Sequence, residues 1–275
     1  MADQIKWHCR DTLQEIKGKF TKKGDWSERF DIRDARKLGS LPSVTSITKE
    51  VYGTGYELIK YIQTQLLQAA WNTPKGEDRD QWESRVLSFS EEHKNTCADQ
   101  GTAIHAEVNQ WIEKGQRPTF PVTVEACHCL EKLLEACGAE GVSSETPVGG
   151  ASFGFCGTPD IHIERASLHN VLAFCGLSVP DGLAECGEII VDLKTTDLGK
   201  YKKPHLSWKR QAGGYAVLKR VGVDSLFLQW VVDRDDGRSV FEAYTNLTDW
   251  AAEFMRGFES WVFVKEYDPR TWEAK

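Results

Sequence analysis

Apolar residues that recur at every second position predict a strand near the middle of the chain. In the segment 187–197, GEIIVDLKTTD, the alternating positions from Ile189 to Leu193 define one buried face. Asp192 and Lys194 fall together on the opposite face, where the strand ends. A buried charge without a partner costs several kcal/mol. The pair is therefore either a structural ion pair or part of a functional site, and the neighbouring elements have to decide between these two interpretations.

The same hydrophobic periods predict the elements on both sides of this strand. Helical spacing of apolar residues predicts helices over 101–115, 122–138, 206–222 and 249–263. Strand-like runs occur at 145–150, 157–164, 187–196, 224–232 and 239–244. The segment 167–186, between the second and third of these runs, is longer than a hairpin needs, and we expect it to be a surface insertion.

This order of elements predicts an α/β fold in which helices flank a mixed β-sheet. Residues 1–95 have a mostly helical pattern, rich in Trp and Lys, and form a predicted N-terminal region packed on the core. The core is expected over 96–245, and residues 246–275 are expected to add a C-terminal helix that packs on it. With 275 residues, of which 40% are hydrophobic, the chain is long enough to bury a substantial core.

The charge and the distribution of apolar residues exclude several classes of protein. The formal net charge is −7, so the chain lacks the overall basic field of a simple nucleic-acid binder. A polyanion must be bound locally, and the densest basic run, 199–211, interleaves Lys and Arg with Tyr201 and Trp208. No run approaches the roughly 18 apolar residues of a membrane span, and the first residues lack the apolar segment of a signal peptide. We expect a soluble, cytoplasmic protein without membrane contact.

The cysteines give no clear metal or disulfide pattern. The eight cysteines contain no CxxC pair. Cys127 and Cys129 bracket His128, but residues two apart on a helix do not face each other, which argues against a zinc site there. Free thiols in a reducing compartment are the better interpretation.

A second carboxylate joins the Asp192–Lys194 pair from the preceding strand. In GTPDIHIE, residues 157–164, Asp160 lies on the face opposite the apolar residues, on the strand that should pair with 187–196. Two carboxylates a few Å apart repel each other, and one lysine cannot satisfy four carboxylate oxygens. A hard divalent cation can, and oxygen ligands suit Mg²⁺ or Mn²⁺. These residues predict metal-assisted hydrolysis of a phosphodiester, with Lys194 holding the nucleophile or the developing negative charge.

Five short motifs follow one another over about 115 residues. They are GTAIH (101–105), Glu145, GTPD (157–160), DLKT (192–195) and QAGGY (211–215). In this order they resemble the successive motifs of the RecB-like branch of the PD-(D/E)xK nucleases, which contains the RecB nuclease domain, the CRISPR-associated RecB-like exonucleases and phage-type exonucleases. Each motif alone is weak, whereas five in order, each on its predicted element, are specific. The resemblance covers the middle of the chain and implies a restriction-endonuclease-like core.

The resemblance also implies a role for each matching residue at the reaction centre. It makes His105, Asp160 and Asp192, helped by the Leu193 carbonyl, the ligands of one or two Mg²⁺ or Mn²⁺ ions. It makes Lys194 the catalytic lysine, acting with the two aspartates on the phosphodiester.

Further residues are expected around this centre. Glu145 would lie on the first strand as an outer ligand or as a ligand of a second metal ion. Gln211 and Tyr215, four apart on one helix face, would position the DNA backbone and brace the site. The other expected DNA contacts are Thr195, Trp208 and Lys209. Most have a structural alternative, because Glu145 can simply end a loop, the helix pair can be ordinary packing, and Trp208 and Lys209 can be solvated surface residues.

The function retains three alternatives. A DNA exonuclease of replication, recombination or repair, of the phage or mobile-element type, is favoured over an endonuclease on the same fold and over a nucleic-acid-binding module without catalysis. The resemblance implies DNA as the partner, with a recombinase or a single-strand-binding protein as a further candidate, and a phage-encoded protein would act in the bacterial cytoplasm. Some relatives hold an iron–sulfur cluster with three cysteines after the last motif. Here the last cysteine is Cys186, so no cluster is expected.

Overall fold

The computed structural model describes residues 5–273 except 22, 24, 54–55, 74–77, 202, 221 and 223, and of 56–62 and 93–94 it describes the backbone alone. The helices are, in chain order, α1 (Ile32–Leu38), α2 (Val44–Tyr52), α3 (Tyr56–Asn72), α4 (Arg79–Lys114), α5 (Pro121–Cys137), α6 (Leu168–Phe174), α7 (Leu206–Lys219) and α8 (Leu247–Lys265), followed by a 3-10 turn, Pro269–Thr271. The strands are β1 (Trp7–His8), β2 (Lys19–Phe20), β3 (Trp26–Ser27), β4 (Leu41–Pro42), β5 (Glu140–Ser144), β6 (Val148–Gly150), β7 (Phe155–Gly157), β8 (Ile161–Ser167), β9 (Cys186–Thr196), β10 (Ser225–Asp233) and β11 (Ser239–Tyr244). None of the helices in the described ranges has the length and apolar composition that a membrane crossing requires.

Five of these strands form the central sheet, in the order β11-β10-β9-β8-β5. β9 and β10 run parallel, whereas the other neighbours in the sheet are antiparallel. Parallel strands need a crossover connection, and α7 lies between β9 and β10 in the chain and supplies it. Helices pack on both faces of the sheet. The predicted α/β class, a mixed sheet flanked by helices, is therefore confirmed.

The sheet separates two hydrophobic cores. The first lies between the sheet and α4, α5 and α6, and the second contains α2, α7, α8 and residues near the N-terminus. In β9, the side chains of Ile189, Val191 and Leu193 belong to the first core and Ile190 belongs to the second. The alternation predicted for this strand is confirmed. Asp192 consequently emerges on the side of the second core, at the end of its apolar residues.

Helix α4 is much longer than the apolar pattern of its last part indicates. It has 36 residues and ends at Gly115, whose φ of 66° is a left-handed conformation that glycine adopts without strain. Ile104 and Val108 are buried against the sheet, while the residues before 100 are mostly exposed, so the helical period is visible only in the packed part. The predicted boundary between residues 95 and 96 lies inside this helix. The N-terminal region and the core are thus joined by one continuous element.

The N-terminal region packs into the second core. Trp7 is buried, and its ring centroid lies 6.1 Å from that of Trp261 and 6.2 Å from that of Tyr267. Helix α2 packs on α7 and α8. The region also contains the two-stranded pairs β1–β4 and β2–β3 beside its helices. The sequence pattern does not predict these pairs, because strands of two residues are too short to show a period of two.

The run 145–150 does not form the first strand of the central sheet, contrary to the sequence prediction. That place is taken by β5, which ends at Ser144, and Glu145 follows it with a φ of 45°, in the left-handed region. β6 lies beyond this turn and pairs with β7 in a separate two-stranded sheet. The sequence of β5 has no apolar period because most of its residues are exposed or half-buried.

The segment 167–186 is only partly a surface insertion. It contains α6, whose Leu168, Val171 and Leu172 are buried in the first core. The rest of the segment lies mainly at the surface. In spite of this long connection, β8 and β9 are antiparallel neighbours in the sheet, so the pairing that the sequence predicts for the two strands is confirmed.

Candidate active site

The candidate site lies where β9 extends beyond Ile161, the first residue of β8. The pairing of the two strands ends at Ile161 opposite Val191. Beyond that point the Leu193 N–H donates to Asp160 Oδ2 at 2.6 Å, so a carboxylate stands where another strand residue would pair. In an antiparallel ladder the N–H and C=O groups of one residue point to the same neighbour. The Leu193 carbonyl therefore faces the same edge as its N–H group.

Asp192 carries the most enclosed carboxylate of the site, with 2% of the residue exposed. Its Oδ2 lies 2.7 Å from Lys194 Nζ and accepts a hydrogen bond from Gln229 Nε2 at 2.7 Å. Its Oδ1 accepts a hydrogen bond from Gln211 Nε2 at 3.2 Å. Three donors from β9, β10 and α7 thus surround one carboxylate. The adjacent Asp–Lys pair predicted from the strand pattern forms as an ion pair.

His105 reaches the site from α4. Its Nδ1 lies 3.2 Å from Asp160 Oδ1. Gly101, one turn earlier on the helix, makes this approach possible, since a Cβ atom at that position would lie 2.8 Å from Thr195 Oγ1. The GTAIH motif therefore supplies both the close helix–strand contact and the histidine. Thr195, a predicted DNA contact, has its hydroxyl turned towards α4.

We expect Gly101→Val to separate α4 from β9 and to move His105 away from Asp160. Overpacking of this kind costs about 1–3 kcal/mol, which lowers the melting temperature of a chain of this size by roughly 3–10 °C. Differential scanning calorimetry measures the loss. Valine is a better helix former than glycine, so helix propensity alone would slightly raise the melting temperature of Gly101→Val. Gly101→Ala combined with Thr195→Ala, which removes the contacted hydroxyl, should melt near the parent. A Gly101→Val protein that melts at or above the parental temperature would contradict the tight contact.

Burial and charge oppose each other at each titratable group. Burial raises the pKa of Asp192, and the charge of Lys194 lowers it only in part, so the pKa stays above its ordinary value. Burial also raises the pKa of Asp160, but the hydrogen bond and charge of His105 outweigh it and hold that pKa below the ordinary value. Burial lowers the pKa values of His105 and Lys194, yet the neighbouring carboxylates reverse the effect and raise both. Lys194 therefore stays cationic at neutral pH. The pKa values of the two carboxyl groups shift in opposite directions, that of Asp192 upwards and that of Asp160 downwards.

Gln211 and Tyr215 lie four residues apart on α7, as predicted. Besides Asp192, the Gln211 Nε2 atom is within hydrogen-bond distance of Thr45 Oγ1, at 3.3 Å, and of the Tyr215 hydroxyl, at 3.4 Å. The Tyr215 hydroxyl donates to the carbonyl of Thr158 at 3.0 Å. The two side chains thus brace the segment before β8 against β9 and the first turn of α2.

Trp208 and Lys209 lie at the beginning of α7, one turn before Gln211. The Trp208 ring stacks on Tyr201, with centroids 5.9 Å apart and planes inclined by 21°. Lys209 Nζ lies 5.6 Å from the centroid of the Trp250 ring. Both residues are half-buried, and they precede Gln211 in α7 by three and two positions.

Glu145 joins the site through its backbone. Its N–H donates to the carbonyl of Asp160 at 3.1 Å. Its exposed carboxylate accepts a hydrogen bond from Asn109 Nδ2 at 2.8 Å, one helical turn beyond His105 on α4. It does not lie on the first strand, contrary to the sequence prediction, because β5 ends at Ser144. Its role as an outer ligand stays a prediction.

Two residues of the site are not predicted by any sequence motif. Gln229 is fully buried in β10, opposite Asp192 in the strand register. A signal for it exists, since it interrupts the apolar run LFLQWVV (226–232) and a buried amide needs partners. Thr45 has no comparable signal, because only the tertiary fold brings the first turn of α2 beside α7.

The chemistry of these groups suits a hard divalent cation. The candidate ligands are the carboxylates of Asp160 and Asp192, the Leu193 carbonyl and the His105 imidazole. Within the described part of the chain, no three His, Cys, Asp or Glu side chains converge on one point closely enough to hold a metal ion. Mg²⁺, however, commonly binds through one or two carboxylates and completes its shell with water and substrate phosphate. A buried carboxylate, Asp192, and a half-buried one, Asp160, beside a single lysine meet this requirement.

Comparisons with known proteins found distant structural likenesses. No family model matches the sequence, and no curated protein matches it. Among solved structures, the protein SSO0001 has 15% sequence identity and a TM-score of 0.35, with 77% of this chain and 88% of that chain covered. A protein described as "Putative exonuclease" from Eubacterium rectale has 11% identity and a TM-score of 0.38, with 90% of this chain and 87% of that chain covered. Both scores are low, so neither likeness assigns a function to this chain.

Proposed function

We propose that this chain is a metal-dependent DNA nuclease of the RecB-like PD-(D/E)xK type that hydrolyses phosphodiester bonds. The observation that supports it best is the cluster of Asp160, Asp192 and Lys194 at the end of the β8–β9 pairing. A structural ion pair needs one acid and one base. Here a second carboxylate and the His105 imidazole lie at the same point, and Lys194 does not fully offset the desolvation of Asp192, a cost that folding alone does not require.

Mg²⁺ or Mn²⁺ would be held by Asp160 and Asp192, with the Leu193 carbonyl and His105 completing the protein ligands. When bound, such a cation lowers the pKa of a coordinated water and neutralises negative charge on the phosphate. Asp160 is fixed for this task by the Leu193 N–H and by His105, which together occupy one lone pair on each of its oxygens. Asp192 is fixed by Lys194 and two glutamine amides.

Lys194 is the cation that the chain itself brings to the reaction. Its side chain is 22% exposed, so the ammonium group is partly accessible to a substrate. The charges of Asp192 and Asp160 keep its pKa raised against the effect of burial. Lys194 therefore donates hydrogen bonds, either to the attacking water or to a non-bridging phosphate oxygen, and stabilises the charge that develops there.

The DNA backbone would approach along the beginning of α7. Gln211 and Tyr215 brace the site, and Trp208 and Lys209, which precede Gln211 in α7, would offer a ring face and an ammonium group to the DNA backbone. Aromatic stacking and phosphate contacts of this kind bind nucleic acid without reading its sequence. Thr195, which follows Lys194 in β9, would contact the DNA from the side of α4.

We favour an exonuclease of replication, recombination or repair, of the phage or mobile-element type, because the motif order resembles that of RecB-like exonucleases. An endonuclease is the second candidate, and a binding module without catalysis is the third. One gel with linear and covalently closed duplex DNA, with and without Mg²⁺, separates them. An exonuclease degrades only the linear form, an endonuclease cuts both, and a binding module retards DNA and leaves it intact. A recombinase or single-strand-binding protein would act as its partner on the product.

We expect cleavage to require Mg²⁺ or Mn²⁺ and to fall below detection in excess EDTA, because the two aspartates cannot activate water without a cation. Ca²⁺ should bind and not support turnover, since its larger and looser shell positions water poorly. The measurement is the release of acid-soluble nucleotides from labelled linear duplex across the three metals. Undiminished cleavage in excess chelator would refute the metal-dependent mechanism.

A further inference from the structure

Gln229 lies in the interior of β10 and binds Asp192 twice. Its Nε2 group donates to Asp192 Oδ2 at 2.7 Å and lies 2.6 Å from the main-chain carbonyl oxygen of the same residue. The two residues face each other in the parallel register of β9 and β10, and Gln229 has no exposed surface. One amide group thus fixes both the side chain and the main chain of a single aspartate.

The oxygen atom at the other end of the Gln229 amide has no partner among the described residues. Its Oε1 atom is buried and accepts no hydrogen bond from the described residues. A buried acceptor without a donor lowers stability. Reversing the amide would not help, because its oxygen would then face the Asp192 carboxylate, which is an acceptor as well. A core position between apolar strand residues would be more stable with an aliphatic side chain, so the amide serves Asp192.

The residue on the far side of Gln229 does not compete for this amide. Glu242 of β11 stands opposite Gln229 in the antiparallel register. Its Oε1 accepts a hydrogen bond from the Tyr201 hydroxyl at 2.8 Å. This hydrogen bond directs the Glu242 carboxylate towards the loop that carries Tyr201. The donor of Gln229 remains directed at Asp192.

We propose that Gln229 is a positioning residue that holds Asp192 Oδ2 so that Oδ1 is presented to the cation. The inference rests on the proposed function. Oδ2 is shared by Gln229 and Lys194, each at 2.7 Å, whereas Oδ1 has the longer contact from Gln211 at 3.2 Å. One oxygen is therefore saturated and the other keeps a lone pair for a ligand bond. Without the amide, the carboxylate can rotate and share both oxygens with Lys194.

The test is Gln229→Met, which keeps the length of the side chain and removes the amide. Loss of a group that orients a metal ligand typically costs a factor of about 10–100 in metal affinity or activity. We expect the Mn²⁺ dissociation constant, measured by electron paramagnetic resonance without DNA, to rise and the single-turnover rate at saturating linear duplex to fall within this range. KM for DNA should stay within about twofold, because Gln229 is too deeply buried to touch a substrate. Gln229→Asn, with an amide one methylene shorter, should be intermediate.

Leu228→Ala is the matched control. Leu228 is also fully buried in β10, but its side chain belongs to the first core, on the opposite face of the sheet. This variant should melt earlier than the parent and keep the parental Mn²⁺ affinity and rate at temperatures below its transition. A purely structural role would give Gln229→Met the same behaviour as Leu228→Ala, and that result overturns the proposal.

The remaining outcomes separate this inference from the proposed function. If the parent binds Mn²⁺ and cleaves no DNA, the nuclease proposal fails, and the Mn²⁺ dissociation constants of the variants still decide the role of Gln229. If the parent cleaves DNA and Gln229→Met matches it in rate and Mn²⁺ affinity, the inference alone fails. If Gln229→Met does not fold, Gln229→Asn decides in the same assays, and failure of both to fold shows that the residue is required for folding and overturns the positioning role.

Discussion

Asp192→Asn is expected to abolish cleavage and to raise the melting temperature in the absence of divalent cations. Asparagine keeps the shape of the side chain but loses the charge that binds a metal. Metal catalysis supplies several kcal/mol, so the rate should fall by roughly a thousandfold or more, at about tenfold for each 1.36 kcal/mol. The stability gain follows from burial, which raises the pKa of Asp192 and thus makes its ionised form unfavourable in the folded protein.

Asp160→Asn should lose cleavage in the same way but lower the melting temperature. The charge of His105 and the Leu193 N–H hold the pKa of Asp160 below its ordinary value of 3.8, so ionisation of Asp160 stabilises the folded state above that pH. This contribution is lost as the pH falls through the lowered pKa. The penalty at Asp192 has the opposite sign: it is present above the raised pKa and disappears below pH 3.8.

Calorimetry from pH 7 to pH 4 and a single-turnover nuclease assay test both variants. The stability gain of Asp192→Asn should shrink towards pH 4, because the parent then protonates Asp192. Asp236→Asn on the surface turn before β11 is the control for loss of an acid, and it should keep the parental rate. A near-parental rate for either active-site variant would refute the assignment of the two carboxylates.

Lys194→Ala decides between an active site and a structural ion pair. If Lys194 only balanced Asp192, its removal would leave a buried charge unpaired and cost about 3–5 kcal/mol of stability, without a specific effect on the rate. If it stabilises the transition state, the barrier should rise by about 2.7–4 kcal/mol, which is a hundred- to a thousandfold in rate. We expect the second result, with the fold and the Mn²⁺ affinity largely kept.

The measurement is single-turnover cleavage of linear duplex and of single strand, together with melting with and without Mn²⁺. Lys194→Arg should not restore the rate, because a planar guanidinium cannot take the place of a compact ammonium beside Asp192. Lys132→Ala on the exposed face of α5 controls for the loss of a surface lysine. A Lys194→Ala protein that melts at a much lower temperature yet cleaves at the parental rate would show that Lys194 serves only as a structural partner of Asp192.

Elements whose faces are buried unequally could be predicted from the sequence. The alternation of Ile189, Val191 and Leu193 identified β9 and the side on which its charges emerge. The run LFLQWVV of β10, apolar except for Gln229, and the helical period of α8 are equally clear, and Phe254 and Phe258 of α8 are buried. These predictions succeed because one-sided burial leaves a period in the sequence and complete burial leaves a run of apolar residues.

Elements with little buried surface could not be predicted in this way. β5 is largely exposed and has no apolar period, so its place was given to the run 145–150. The buried residues of α6 are too few to show a helical period against the polar segment that follows. In the site, the motifs indicated the side chains that meet at the end of β8, whereas Gln229 and Thr45 are brought there by strand register and helix packing, which a single sequence does not display.

Leu193 has two structural roles that do not depend on each other, one through its side chain and one through its main chain. Its side chain, 1% exposed, packs in the first core, while its N–H group donates a hydrogen bond to Asp160 at the edge of β9. Substitution by Ile or Met would alter packing and leave the main-chain contact in place, and only proline would remove the donor. Divergent sequences could therefore keep this part of the site without keeping the residue, and a comparison of side chains alone would record nothing but a hydrophobic position.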